Sequence, residues 1–107
     1  MKPFKEAEGF AEDLQAAYDY YKTYGRRSAE RFLAACEAAI KNIRYNPFVS
    51  HPRKHGWRQL VILRHPNYSI FYKELADCWL LGGVVSTIRD PDTIQARLLI
   101  REVQGGM

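Results

Sequence analysis

Residues 38–73 combine seven cationic side chains with all three histidines of the chain and contain no acidic residue. The cations are Lys41, Arg44, Arg53, Lys54, Arg58, Arg64 and Lys73, and the histidines are His51, His55 and His65. A block of one sign attracts phosphate or an acidic protein, because counterion release and electrostatic steering both increase with the number of unpaired cations. The plain alternative is that these residues only solvate the surface of a small domain whose net charge is +4.

The histidines raise the question of acid–base chemistry, since imidazole is a common general acid or base and arginines beside it could bind phosphate oxygens. His51 and His55 precede the first predicted strand and His65 lies at its end, so the alternative is that all three are exposed loop or turn residues. His51 and His55 lack the third and fourth ligands of a usual zinc site. Cys36 and Cys78 stand singly in apolar runs and are interpreted as buried thiols in a reducing cytoplasm. No metal or cofactor is expected.

Helical periodicity accounts for the first half of the chain. Apolar residues recur at helical spacing over residues 7–24, and Gly25 follows as a left-handed stop. Ser28 is a candidate N-cap for a second helix, whose apolar stripe ends before Asn46 and Pro47. The short break between the two helices makes them antiparallel neighbours. The sequence therefore predicts a helical hairpin.

The second half has strand character in three runs, which read WRQLVILRH, NYSIFYKEL and CWLLGGVVST. These runs are separated by residues 66–67 and 76–77, which predicts an antiparallel meander with tight turns at those two places. Alternation in the middle run predicts that only one face of the sheet is fully buried. Gly82 and Gly83 predict a bulge or a close backbone approach in the last strand.

The ends of the chain add two short elements. A short edge strand is predicted over residues 2–5 and a closing helix over residues 92–103, with the last four residues frayed. No stretch has the length of a membrane span or of a signal-peptide core, so a cytoplasmic protein is expected. The whole chain, residues 1–107, is expected to form a single domain.

The predicted fold class is α+β, with an N-terminal α-helical hairpin packed on a small antiparallel β-sheet. Its core is drawn from the inner stripe of the helices and the apolar positions of the strands. The predicted core residues are Leu14, Phe32, Cys36, Ile40, Leu60, Ile62, Ile70 and Val84.

Five stretches in this order resemble one family over nearly the whole chain. They are AEDLQAAYDYY, AERFLAACEAAIKNIRYNP, GWRQLVI, HPNYSIFY and VVSTIRDP. Together they are similar to the ParE branch of the ParE/RelE superfamily, the toxins of type II toxin–antitoxin (plasmid stabilisation) modules. The resemblance implies a RelE/ParE-like fold, a cognate acidic antitoxin as partner, and DNA gyrase as the target of the ParE branch. The RelE branch instead cleaves mRNA on the ribosome.

The resemblance also implies which nuclease residues to look for. Ser69 stands where catalytic members carry arginine, Leu60 and Ile62 where they carry lysines, and Gln95 where they carry a tyrosine. Of that set only Arg89 is retained. A gyrase inhibitor is therefore the leading interpretation, and enzymatic activity is left uncertain.

Two alternatives stay open. One is a ribosome-dependent mRNA endoribonuclease with a remodelled site using Arg89, Arg64 and His65. The other is a degenerate, non-toxic module that only binds antitoxin.

The basic surface is expected to bind the protein partner along the helical hairpin and the sheet edge. The residues assigned to partner binding are Arg53, Lys54, Arg58, Arg64 and Arg89. Arg58 and Arg64 could instead be charges on an edge strand that prevent aggregation. Arg89 could instead form an internal ion pair with Asp90. The oligomeric state is left open between a homodimer and a toxin–antitoxin hetero-oligomer.

Overall fold

The computed structural model describes residues 2–105. A mixed sheet with strand order β1-β4-β3-β2 carries helices on both faces. The elements are β1 (Phe4–Glu6), α1 (Phe10–Lys22), α2 (Arg26–Tyr45), β2 (Arg58–Ile62), β3 (His65–Glu74), β4 (Trp79–Ser86) and α3 (Pro91–Gly105), with short 3-10 turns at Pro47–Val49 and Lys54–Gly56. β1 pairs in parallel with β4, whereas β4, β3 and β2 form the predicted antiparallel meander. The α+β class and the helical hairpin are thus confirmed.

The start of α2 differs from the sequence prediction. Gly25, with a φ of 116°, is the N-cap of α2, and Ser28 lies inside the first turn. The proposed cap at Ser28 was wrong because the glycine reverses the chain immediately and lets helix begin at Arg26. α3 also extends beyond its predicted end to Gly105, so fraying was wrong at Gln104, and residues 106–107 lie outside the described part of the chain.

The turn between β2 and β3 also lies elsewhere than predicted. It consists of Leu63 and Arg64, and Arg64 adopts the left-handed φ of 66°. Pro66 and Asn67 belong to β3, where the pairing with β2 skips them. Proline has no N–H group to donate, and it is tolerated at this position because the strand makes no ladder hydrogen bond with β2 there.

The face of the sheet under α1 and α2 carries the larger core. Phe32, Cys36, Ile62, Ile70 and Val84 are buried in it, as predicted. The other three predicted core residues are partly buried against the same cluster; they are Leu14, Ile40 and Leu60.

The opposite face is buried as well, so the prediction of one buried face was wrong. α3 packs Ile94 and Leu98 against Phe71, Leu80 and Val85. The alternation of β3 could not reveal this cover, because α3 follows the strand only after another strand and a loop. The sheet is therefore a middle layer between the helical hairpin and α3.

Gly82 and Gly83 form the predicted bulge. Phe71 pairs with Gly83 and Tyr72 with Leu81, which leaves Gly82 without a register partner. A Cβ atom at Gly82 would lie 2.5 Å from the Trp57 ring, and one at Gly83 would meet the Arg101 guanidinium at 2.7 Å. Glycine is therefore required at both positions, because the Trp57 and Arg101 side chains approach the backbone closely and because the strand bulges here.

An ion pair joins the first and last helices around the edge of β4. Arg101 donates to both carboxylate oxygens of Asp13, at 2.9 Å for the Nη2 bond, and to the carbonyl oxygen of Gly82 at 3.0 Å. The backbone N–H of Val84 donates to Asp13 at 3.2 Å, at a point of β4 beyond its pairing with β1. Asp13 thus satisfies an edge amide of the sheet and neutralises a nearly buried guanidinium. Hydrogen bonding to Asp13, more than the opposing desolvation, raises the pKa of Arg101.

Among residues 2–105, none of the helices combines the length and apolar character that crossing a bilayer would require.

Candidate functional site

The five cations assigned to partner binding do not form one cluster. Arg53 and Lys54 are exposed at the turn before β2, and Arg64 is exposed at the turn after it. Arg89 is exposed beyond the end of β4. Arg58 is half-buried, so these residues differ in their availability to a partner.

Arg58 is held within the protein. Its Nη1 donates to the carbonyl oxygen of Ser50 at 2.6 Å, and its guanidinium lies 5.3 Å from the ring centre of Phe48 and 5.4 Å from that of Trp79. These contacts attach the loop after α2 to the first strand of the meander. Much of its hydrogen-bonding and stacking capacity is therefore already used inside the domain.

A groove of about 560 Å³ runs between α2 and β2 and is called here the α2/β2 groove. Its apolar lining comes from four alanines of α2 and three residues of β2 and the following turn. The lining residues are Ala34, Ala35, Ala38, Ala39, Leu60, Val61 and Leu63, with Arg31, Asn42, Arg64 and His65 as polar members.

The α2/β2 groove combines two features of a docking surface. β2 is the edge strand of the sheet, but its first part is covered by the preceding loop: Arg58 is bridged to Pro52, and the carbonyl oxygen of Gln59 accepts a hydrogen bond from Ser50 at 2.7 Å. Residues 60–62 are therefore the part of this edge that another strand could extend. Val61 on β2 and Leu63 in the following turn are 51% and 77% exposed, so two aliphatic side chains at this edge are accessible to a partner. Arg31, Arg64 and His65 add polar and cationic groups to its lining.

His65 is not a free turn residue. Its ring packs edge-on against Tyr21 and Phe32, with ring centres 5.1 and 5.2 Å apart, and its Nδ1 lies 3.1 Å from the carbonyl oxygen of Leu63. His51 and His55 are exposed, as their loop positions predict. Over residues 2–105, no three His, Cys, Asp or Glu side chains come together in a metal-binding cluster.

A second cleft, of about 680 Å³, was not recognised from the sequence and is called here the tyrosine cleft. It lies beside the turn of the helical hairpin, and none of its lining residues is shared with the α2/β2 groove. The lining residues are Tyr20, Tyr21, Tyr24, Ser28, Asn67, Tyr68, Ser86, Ile88 and Arg89. Tyr20 and Tyr21 lie at the end of α1 and Tyr24 follows it, so the signal in the sequence for this cleft is three tyrosines within five residues.

The tyrosine rings hold one another in place. Tyr20 packs edge-on against Tyr21 at 5.3 Å and against Tyr24 at 5.6 Å between ring centres. The hydroxyl groups of Tyr20 and Tyr24 are hydrogen-bonded at 3.3 Å, and this bond raises the pKa of Tyr20. Burial raises the pKa of Tyr68, while the nearby Arg89 charge acts in the opposite direction.

The residues implied by the resemblance to nucleases do not converge. Leu60 and Ile62 face the helical hairpin, whereas Ser69 is fully buried, with its hydroxyl accepting a 3.0 Å hydrogen bond from Gln59. Gln95 is a residue of α3 and lines a cavity together with Lys73, whose ammonium group is paired with Glu102 at 2.8 Å.

The residues of the alternative nuclease site are also divided. Arg64 and His65 line the α2/β2 groove, while Arg89 lines the tyrosine cleft. Within the described chain, Arg89 forms no ion pair with Asp90.

Cys36 and Cys78 are buried free thiols, as the sequence predicted. Burial, with a smaller contribution from the charge of Glu37, raises the pKa of Cys36 to about 12. Cys36 is therefore a core residue and not a nucleophile.

Comparison with known proteins agrees with this architecture. A family model described as the ParE toxin of the type II toxin–antitoxin system, parDE, matches residues 7–81. No curated protein sequence matches the chain. A solved structure described as the chromosomal ParDE TA system from P. aeruginosa is similar in fold, with a TM-score of 0.71 and 20% sequence identity over 80% of this chain and 96% of that one. The matched residues span both helices of the hairpin and most of the sheet, and the chain belongs to the ParE toxin family of type II toxin–antitoxin systems.

Proposed function

We infer that this ParE-family toxin is neutralised by a cognate antitoxin bound in the α2/β2 groove, and that its target is DNA gyrase. The observation that carries the antitoxin site is the position of an apolar groove beside the open part of the β2 edge, residues 60–62. The solved ParDE system of similar fold gives the precedent of a toxin–antitoxin context.

The groove suits a peptide that is apolar on one side and acidic on the other. An extended segment can add main-chain hydrogen bonds to an edge strand, while its side chains fill pockets between α2 and β2. The exposed Val61 and Leu63 would be covered by such a segment. Arg53, Lys54 and Arg64 lie before and after β2, so carboxylates of the antitoxin would find cations at both ends of the strand.

The positions of the candidate nuclease residues favour gyrase as the target over mRNA on the ribosome, because these residues do not form one catalytic site. Removing one hydrogen-bond donor that stabilises the transition state lowers the catalytic rate by about 10²–10³-fold. Here Ser69 is buried and hydrogen-bonded to Gln59, and Arg89 and Arg64 line different clefts. General acid–base catalysis needs its groups within hydrogen-bonding reach of one substrate.

The antitoxin site is tested by charge insertion on β2. Leu63→Glu and Val61→Glu are expected to prevent neutralisation, because a carboxylate would oppose both the apolar anchor and an acidic partner. Ile100→Glu on α3, which changes a residue of similar exposure (59%) outside the groove, is the matched control. Co-expression of each variant with the cognate antitoxin measures rescue of growth. Equal rescue of all three variants would reject the groove.

The target is tested by comparing two early responses after induction. Inhibition of supercoiling by purified gyrase, together with a DNA-damage response in cells, is the expected result. Prompt cleavage of mRNA within translated codons, lost in Arg89→Ala with the fold intact, would instead establish the nuclease alternative. If neither gyrase inhibition nor mRNA cleavage is detected, the non-toxic antitoxin-binding module is favoured.

A further inference from the structure

The tyrosine cleft presents more aromatic surface than packing of the helical hairpin uses. Tyr20 is 50% exposed and Tyr24 is 69% exposed, whereas Ala17 and Phe32 are the buried residues that join the helices in this region. The edge-on contacts of Tyr20 with its neighbours fix the ring positions. Preset aromatic faces at the rim of a cleft reduce the entropy cost of binding a flat ligand.

The charge in the cleft selects against a cationic ligand. Arg89 is exposed at its rim and has no carboxylate partner within residues 2–105. The acidic residue that follows it, Asp90, instead accepts a hydrogen bond from Thr93 at the start of α3, at 3.4 Å. Arg89 and Tyr68 line the same cleft, so the cation borders the aromatic surface. An aromatic surface beside an arginine fits a ligand that carries a flat ring and a negative charge.

The remaining lining residues are neutral; Ile88 is apolar, and the other three are small and polar. Ser28, Asn67 and Ser86 supply hydroxyl and amide groups that can donate and accept hydrogen bonds. The volume of about 680 Å³ lies in the range of small-ligand sites, about 300–1,000 Å³. A base with its attached sugar and phosphate has the size, the flat face and the charge that this lining matches.

We propose that the tyrosine cleft binds an unstacked base of single-stranded nucleic acid, with Arg89 pairing with the adjoining phosphate. A single strand is required because a base in a duplex does not expose its face to an aromatic side chain. The surplus of cations, with a net charge of +4, favours a polyanion over a neutral peptide. None of its lining residues belongs to the α2/β2 groove, so the proposal rests neither on the antitoxin site nor on the identity of the target.

The test compares two oligonucleotides that differ only in their bases. Fluorescence anisotropy at low salt measures binding of a labelled thymidine oligonucleotide of about ten nucleotides, a length within the range of single-strand sites. An abasic oligonucleotide of the same length has the same phosphates and no stacking surface. The thymidine strand is expected to bind at least about fivefold tighter, because stacking on one aromatic side chain is worth that much or more.

Two variants separate stacking from charge. Tyr24→Ser is expected to weaken binding of the thymidine strand by roughly 5- to 100-fold and to leave the abasic strand unchanged. Arg89→Gln is expected to weaken both strands and to lower the slope of log K against log salt by about 0.7, the value for one phosphate of a single strand. Tyr45→Ser, at an 87% exposed tyrosine outside the cleft, and Lys41→Gln, at an exposed cation of α2, are the matched controls.

Equal binding of the two oligonucleotides, or equal effects of Tyr24→Ser and Tyr45→Ser, would overturn the proposal. So would absence of binding, or saturation of the cleft by an acidic, tyrosine-containing peptide and not by the thymidine strand. Aromatic NMR shifts of the unmodified protein provide a measurement that does not depend on any variant folding. Shifts on adding the thymidine strand should concentrate on Tyr20, Tyr24 and Tyr68.

Discussion

Replacing Asp13 by asparagine should destabilise the protein more than any change of a surface charge. The substitution keeps the size of the side chain and an acceptor for the Val84 amide, but it removes the charge that faces Arg101. The side chains of Asp13 and Arg101 are only 9% and 12% exposed, so solvent cannot replace the lost carboxylate. Breaking a buried pair on one side costs about 3–5 kcal/mol, and the retained hydrogen bonds favour the lower end, about 3 kcal/mol.

The expected loss is a large part of the total stability, which for a domain is about 5–15 kcal/mol. Urea unfolding followed by circular dichroism at neutral pH measures it. The matched control is Glu30→Gln, which breaks the exposed pair of Arg26 and Glu30, whose side chains are 84% and 59% exposed. An exposed helical pair of this kind contributes about 0.3–0.5 kcal/mol.

Two further measurements identify the mechanism. Adding Arg101→Met to Asp13→Asn should recover stability, because the double variant no longer contains an uncompensated buried charge. Amide hydrogen exchange in α3 should accelerate in Asp13→Asn, since Arg101 links that helix to α1 and to β4. If Asp13→Asn is no more destabilising than Glu30→Gln, the reasoning from the buried ion pair is refuted.

Three other changes probe the core. Phe32→Ala should cost about 3–5 kcal/mol in urea unfolding, because the fully buried ring contacts the cluster beneath the helical hairpin; a cost under about 1 kcal/mol would contradict that packing. Gly82→Ala should cost about 1–3 kcal/mol or more, since its Cβ would lie 2.5 Å from the Trp57 ring, and an unchanged unfolding midpoint would argue against the close approach. Cys36 should make the protein less stable at alkaline pH: its thiol ionises near pH 9 when unfolded and near 12 when folded, so the free energy of unfolding should fall by about 1.4 kcal/mol per pH unit between these values. The same pH series on Cys36→Ala should lack that component, and parallel curves for the two proteins would refute the assignment.

Much of the fold could be predicted from the sequence because its elements are encoded locally. Helical periodicity identified α1 and α2, and β-branched and aromatic runs identified the three strands of the meander. The double glycine in β4 predicted a bulge, and single cysteines in apolar runs predicted buried thiols. These features depend on neighbouring residues, so they can be recognised without knowing what packs against them.

The sequence was a weaker guide to the bounds of an element where two residues could each start or end it. Gly25 and Ser28 were both able to begin α2, and the backbone freedom of glycine decided between them. Pro66 suggested a turn, but its strand accommodates it where the pairing with β2 is interrupted. The cover on the second face of the sheet came from α3, which no alternation within β3 could indicate.

The two clefts and the ion pair were decided by tertiary structure alone. Asp13 and Arg101 are 88 residues apart and meet only because α1 and α3 approach the same edge of β4. The register that pairs Tyr68 with Ser86 brings β3 and the end of β4 together beside the tyrosines of α1 and creates the tyrosine cleft. Sequence determined which residues were cationic, aromatic or apolar; long-range packing decided which of them face a common space, because that depends on strand order and register and not on spacing along the chain.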